Sequence, residues 1–360
     1  MEGIVIDVIC YYHDPVKVPL LRDGVLPALE AAAKLGARGH IERHWLHGPH
    51  ARLRLDGPVE AAYAAARVLN NHITRKPSTV ELDDEELLGQ ARVNGLAELI
   101  KPPYSPIYPN NTVRIEPTDT TRLRSLLGSD ALVELRAQGL RLGVEAIRSS
   151  LIDVSRVQLT ITAMAVHASR YPPGLGNGYH SFLSHLEDFL LHSDPRGRIR
   201  AKFDQVWHRN SDKVIASVER VATGHPTNRL EAGWQTWTIG MRLAAEAAYD
   251  AGDLTSALNP SYGERAYEMG DRATIERYNF AERSSFSEYH TRLWEVDLDH
   301  PLVKRPLTVY RFGTNVLYQL LAVCDVTPME RYLAADLMTR ATQEITGIGW
   351  AEHLAQMERR

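Results

Sequence analysis

The segment HWLHGPHARLRL, His44 to Leu55, is the part of the chain richest in groups that do chemistry. Side chains along a strand point alternately to opposite faces, so His50, Arg52 and Arg54 share one face and Ala51, Leu53 and Leu55 the other. Successive members of the cationic row lie about 7 Å apart. Such a pair of guanidiniums suits a carboxylate, a phosphate or a developing oxyanion, because each presents planar bidentate donors. A solvated strand face is the competing reading. The histidines at 44, 47 and 50 span a Gly-Pro turn and lack the HExxH helix spacing with its glutamate, so no metal site is expected there. His47 and His50 read instead as turn or substrate contacts.

In YHSFLSHLEDF, residues Ser181, His185, Asp188 and His192 fall at i, i+4, i+7 and i+11, one helical stripe, with Phe182, Leu186, Phe189 and Leu190 opposite. A histidine flanked on its own face by Ser and Asp can move protons near neutral pH, since its ordinary pKa is about 6.5 and its neighbours fix the tautomer. A solvated helix face fits the same spacing. Arg311, Asn315 and Tyr318 form a second polar stripe on an otherwise apolar helix that opens at Tyr310. Polar groups so placed are costly unless they are satisfied or used, and a structural network is the alternative to a site. GxSxG, Walker A and GxGxxG motifs are absent, so nucleotide-dependent and serine-hydrolase chemistry lack support.

The elements that must position these groups are legible in outline. Ile4 to Tyr12 is β-branched and aromatic and reads as a first, central strand. Pro27 just inside an Ala/Leu-rich stretch and Gly36 just past it mark a helix ending at Leu35. His40 to Leu46 and His50 to Leu55 make a half-buried hairpin. Val59, Ala62, Tyr63, Ala66, Leu69 and Ile73 recur at helical spacing, and Thr112 to Ile115 supplies a late strand. The order is βαββαβ, ferredoxin-like. Lys101 to Asn111, with four prolines and paired asparagines, reads as an ordered crossover loop.

From Asp130 onward the pattern is almost wholly helical: Asp130 to Leu151, Val154 to Ser169, Ser181 to His192, Arg200 to Thr223 and Trp234 to Ala251. The last helix is signed by the capping box Thr327-Pro328-Met329-Glu330, a stripe of Met329, Leu333, Leu337, Ala341 and Ile345, and a stop at Gly347. Ser261 to Val296 gives no clear pattern. The fold class expected is α+β, with a ferredoxin-like part over 1–117 packed with a mostly helical layer over 118–360, the two expected to form one compact unit.

Composition narrows the partners. With 360 residues, 44% apolar and 24% charged, the chain is long enough for a sizeable core and excludes disordered and collagen-like classes. Its 41 basic and 45 acidic residues leave no basic field to gather nucleic acid. Cys10 and Cys324 are too few for a disulfide framework or a thiolate zinc site. The N-terminus lacks a basic n-region and a cleavage site, and no apolar run nears the roughly 18 residues of a membrane span. A cytoplasmic location with no membrane association is expected.

The segment HWLHGPHARLRL resembles the pHlRlR strand signature of the C-terminal domain of lantibiotic dehydratases, the unit that eliminates glutamate from glutamylated Ser and Thr. SPIYPNNTV, YHSFLSHLEDF and the closing RFGTNVLYQLLAVCDVTPMERYLAADLMTRA resemble stand-alone relatives of that domain in thiopeptide biosynthesis. The resemblance spans essentially the whole chain. Elimination domains carry a His four residues before the Asn of a C-terminal HMxxNR motif, and here the position four before Asn315 is Arg311. Members lacking that His are similar to pyridine synthases, which join two dehydroalanines of a modified peptide in a formal aza-[4+2] cycloaddition. They then lose water and expel the leader peptide as an amide.

The resemblance implies His185, Tyr318, Tyr310 and Arg52 as catalytic groups, with His50, Arg54, Ser184, Asp188, Arg311 and Asn315 contacting substrate. It implies no cofactor and no metal, and a precursor peptide, leader and dehydrated core, as partner. A homodimer stays open. Rival readings are a glutamate-elimination lyase, a silent peptide-recognition partner, and thioether closure, which the lack of a thiolate zinc site leaves without support.

Overall fold

A computed structural model of the chain describes residues 4–255 and 261–358. The β-branched N-terminal run forms β1 (Ile4–Tyr11), the hairpin β2 (Arg38–His44) and β3 (His50–Gly57), and the late strand β4 (Thr112–Pro117). The strands lie in the order β2-β3-β1-β4, each neighbouring pair antiparallel. The remaining regular structure is helical, so the chain is α+β.

Two compact units divide the chain, and the division does not follow sequence order. One takes Met1–Leu151, Asn259–Glu282 and Gln319–Asp325; the other takes Ile152–Leu258, Arg283–Tyr318 and Val326–Arg360. The unit with the sheet thus runs past residue 117 and includes the helices Thr121–Leu127, Asp130–Leu142 and Val144–Ser150. The stretch read as one helix from Asp130 breaks at Gly143, where a Cβ would stand 2.5 Å from the Leu320 side chain.

Register sorts the sheet into two faces. Ile6, Val8 and Cys10 of β1, Ile41 of β2 and Ala51, Leu53 and Leu55 of β3 are all buried, and the helix Val59–Arg75 packs against β1, β3 and β4. Each such large apolar side chain contributes about 1.5–3 kcal/mol by leaving water. The other face is polar: Asp7 stands opposite Arg54, Glu42 opposite Arg52, and Tyr11 and His44 flank His50. It is also covered. His50 is 1% exposed and Arg54 6%, so the hairpin is buried on both faces rather than half-buried. The helix Asp130–Leu142 packs on β2 and sends Arg136 into this layer.

At the hairpin turn His47 has φ 65° and Gly48 φ 109°. His47 Nδ1 donates to the carbonyls of Tyr104 and Pro106, 3.1 Å each, which ties the proline-rich crossover to the turn. The paired asparagines close the same loop: the amides of Asn110 and Asn111 bond Val80 and Ser78.

In the helical unit Arg156–Ser169 is buried from Leu159 to Ala168 and packs against Arg198–Ala222, Arg229–Asp250 and Pro328–Thr346. The last of these has both halves of its capping box, Thr327 and Glu330, in place. Met329, expected on its apolar stripe, is exposed, because the buried face begins only at Ala334. The unassigned stretch is three short helices, Ser261–Met269, Arg272–Tyr278 and Glu288–Leu293. No described helix is long and apolar enough to cross a membrane.

Candidate active site

The helix His180–Ser193 carries Ser184, His185, Asp188 and His192, the polar residues that the sequence singles out there. The bulky apolar side chains Phe182, Leu186 and Leu190 are buried, which fixes the rotation of the helix and the direction of its polar residues. His185 Nδ1 lies 2.9 Å from the Tyr318 hydroxyl on the helix Pro301–Val323. One residue earlier, Ser184 Oγ lies 3.0 Å from His290 Nε2, and His290 Nδ1 is 2.7 Å from the hydroxyl of Ser287, the cap of its own helix. The two pairs sit side by side on one turn.

Burial, with Arg311, Arg331 and His290 adding to it, pushes His185 down to about 3, and burial pushes His290 down to about 4. Both rings are therefore neutral at neutral pH. Burial also raises the Tyr318 phenol, which keeps its proton. The Arg331 guanidinium stands over the Tyr318 ring at 4.4 Å, a cation–π contact that holds positive charge beside the pair. A neutral imidazole hydrogen-bonded to a neutral phenol accepts a proton at one end and gives one at the other.

The structure pairs His185 with Tyr318, and not with the Ser and Asp of its own stripe. Asp188 and His192 both meet Arg283. Asn315, on the expected stripe with Arg311 and Tyr318, is exposed, while those two are half-buried. Tyr310 is 6% exposed, stacks on His167 with ring centroids 4.4 Å apart, and donates its hydroxyl to the Gly178 carbonyl at 2.8 Å. That hydroxyl is engaged with the framework.

In the unit with the sheet, Arg54 is likewise engaged. Its Nε and Nη2 donate to the two carboxylate oxygens of Asp7 at 2.8 and 2.9 Å, a bidentate pair. Arg136 donates to Glu42 at 2.9 Å, and His40 meets the same oxygen at 2.9 Å. Burial pushes the Glu42 carboxyl up, but Arg136, His40 and Arg54 outweigh it and hold its pKa well below the ordinary range. His50 gives its Nδ1 proton to the Gly48 carbonyl at 2.9 Å and is driven down to about 3 by burial and Arg52. Arg52 is the incompletely matched member of the row: its nearest carboxylate oxygens are 3.6 and 4.0 Å away, on Asp7 and Glu42.

Sequence reasoning missed Asp7, Glu42, Arg136, His290 and Arg283. Asp7 alone interrupts an apolar strand, which is a signal that an opposite charge waits for it. Arg136 and Arg283 reach their partners across large sequence separations that no local pattern marks. Among the described residues no three His, Cys, Asp or Glu side chains gather as a metal ligand set.

Comparison with known proteins bears on the fold. Over 96% of this chain and 100% of the other, with TM-score 0.70 and 20% identity, it is similar to the pyridine synthase TbtD from thiomuracin biosynthesis. The chain has the fold of that pyridine synthase. It is also similar to TsrL, with TM-score 0.65 and 16% identity over 99% of each chain. The tRNA-dependent lantibiotic dehydratase MibB from Microbispora sp. 107891 matches 96% of this chain with TM-score 0.50 and 13% identity, over 28% of its own length. No family model and no curated protein matches the sequence. The resemblance read from the sequence therefore holds at the level of the fold.

Proposed function

We propose that the protein matures a ribosomally made peptide by closing a pyridine-type macrocycle: a formal aza-[4+2] cycloaddition of two dehydroalanines, loss of water, and expulsion of the leader peptide as an amide. The observation that carries this reading is the end-to-end likeness to a pyridine synthase, whereas the dehydratase is matched over only 28% of its length. Fold does not fix function, so the reading also needs a site with suitable chemistry. The strand order β2-β3-β1-β4 supports a ferredoxin-like part as the scaffold for the peptide.

The first demand of the reaction is to move a backbone amide proton from nitrogen to oxygen, giving the iminol that enters the cycloaddition. No net proton is gained or lost, so a bifunctional neutral pair suits it better than a strong base. His185 and Tyr318, 2.9 Å apart and both neutral, are assigned that role. Arg311 and Arg331 supply a positive field for the oxygen on which charge develops. Aromatisation by two eliminations again needs a proton taken and a proton given, and the same pair serves. Ser184, the residue before His185, is assigned to hold the peptide beside the pair, and Arg52, in the unit with the sheet, is assigned to orient it. Holding two dehydroalanines in contact converts an encounter into a unimolecular step and lowers the barrier by several kcal/mol, roughly.

The test is incubation of the purified protein with a dehydrated, azole-bearing precursor peptide, followed by intact mass. Release of a leader amide and a core lighter by one water is expected. Loss of glutamate from a glutamylated precursor would make the protein an elimination lyase, and tight leader binding with no mass change would make it a recognition partner.

A further inference from the structure

At the hairpin end of the sheet's polar face, hydrogen-bond donors outnumber acceptors. His44 Nδ1 accepts the Leu46 N–H at 3.0 Å. Burial holds His44 well below its ordinary pKa, so the ring is neutral and its single proton sits on Nε2. Arg122 Nη2 stands 3.2 Å from that same Nε2, and a guanidinium has only donors to offer. Two N–H groups thus face one another. The nearest carboxylate oxygen is Glu98 Oε2, 4.0 Å from His44 Nε2 and beyond hydrogen-bond reach, while Glu98 Oε1 accepts from Trp45 Nε1 at 2.9 Å.

The imbalance extends along the strand. His50 stacks on His44 with ring centroids 5.9 Å apart and, having given its Nδ1 proton to Gly48, accepts from Arg52 Nη2 at 3.4 Å. Arg52 Nε is buried with no hydrogen-bond partner among the described residues. Burial and then Arg52 and Arg265 push the Arg122 pKa down, and Glu98 and Glu42 offset this only in part. A buried donor without an acceptor costs about 1–3 kcal/mol, and more when it is charged. Guanidiniums gathered in this way are stable when an anion lies among them.

We propose that His44 Nε2, Arg122 and Arg52 form a binding site for an oxyanion, and that the oxyanion is a carboxylate. A planar carboxylate has two acceptor oxygens, one to bridge the facing N–H groups of His44 and Arg122 and one for Arg52. Glu98 and Glu42, each 4.0 Å from a donor of the site, oppose a phosphate dianion more than a carboxylate monoanion. In a peptide partner the group is an aspartate or glutamate side chain.

Isothermal titration of the full chain with N-acetylglutamate α-amide, with the neutral glutamine analogue and with inorganic phosphate tests this without any turnover, so it stands or falls apart from the cyclisation reading. Saturable binding of the glutamate probe, none of the glutamine analogue, and at least tenfold weaker binding in Arg122→Gln are expected. Arg124→Gln, on the same helix and paired with Asp130, should bind as the wild type does. Phosphate binding as tightly as the carboxylate would overturn the assignment of ligand. Absence of saturable binding, or equal binding by Arg122→Gln with unchanged circular dichroism, would overturn the site.

Discussion

At the scale of single residues, burial and pairing decide which of the chemically capable side chains are available. Arg52 and Arg54 are equivalent in sequence, two apart on one strand face, yet Arg54 is fastened by both oxygens of Asp7 and Arg52 is not. Removing one partner of a buried ion pair leaves the other charge uncompensated, which costs about 3–5 kcal/mol. Arg54→Ala is therefore expected to lose stability of that order in urea unfolding, and the double variant Asp7→Asn/Arg54→Met to recover part of it. Equal losses in the single and double variants would show that volume and not charge is at stake. The cationic row was legible in the sequence from strand alternation alone. Its neutralisation was not, because Asp7 and Glu42 come from neighbouring strands whose register is set by pairing.

At the scale of elements, local signals translated well wherever they were strong. Thr327 and Glu330 form the reciprocal cap that their spacing announces, and Thr327→Ala is expected to lower stability by about 1 kcal/mol without changing the circular dichroism of the folded protein. An unchanged denaturation midpoint would show that the first turn frays without consequence. The helix Asp84–Glu98 was missed although Asp83 and Glu86 form another full capping box. Its buried face is only Leu87, Ala91 and Gly95, too small and too polar in its surroundings to print an apolar period. The helices between Ser261 and Leu293 are six to nine residues long, short enough that their period never repeats.

At the scale of the whole molecule, the division into units escaped the sequence because Asn259–Glu282 and Gln319–Asp325 belong with the sheet more than 100 residues earlier, by the account of contacts and not of order. Acid stability is a property of the same scale. Burial, as the leading cause, brings His50, His167, His180 and His185 down to about 3 and His290 to about 4, against an ordinary value of 6.5. Below pH 6.5 the unfolded chain binds protons at these sites that the folded chain does not, so stability present above that pH falls as pH drops toward 3. Unfolding free energy measured from pH 7 to pH 4 should decline steadily, each such histidine adding about 1.4 kcal/mol per pH unit at most. A flat profile across that window would mean that these rings are hydrated and titrate normally.

The claim that His185 and Tyr318 act as one neutral proton-transfer pair is tested most directly by single-turnover kinetics on the dehydrated precursor. Tyr318→Phe keeps the ring beneath Arg331 and removes only the hydroxyl that meets His185. The rate of leader-amide release is expected to fall by about 10²-fold or more, with peptide affinity unchanged. Release at the wild-type rate by the folded variant would contradict the assignment.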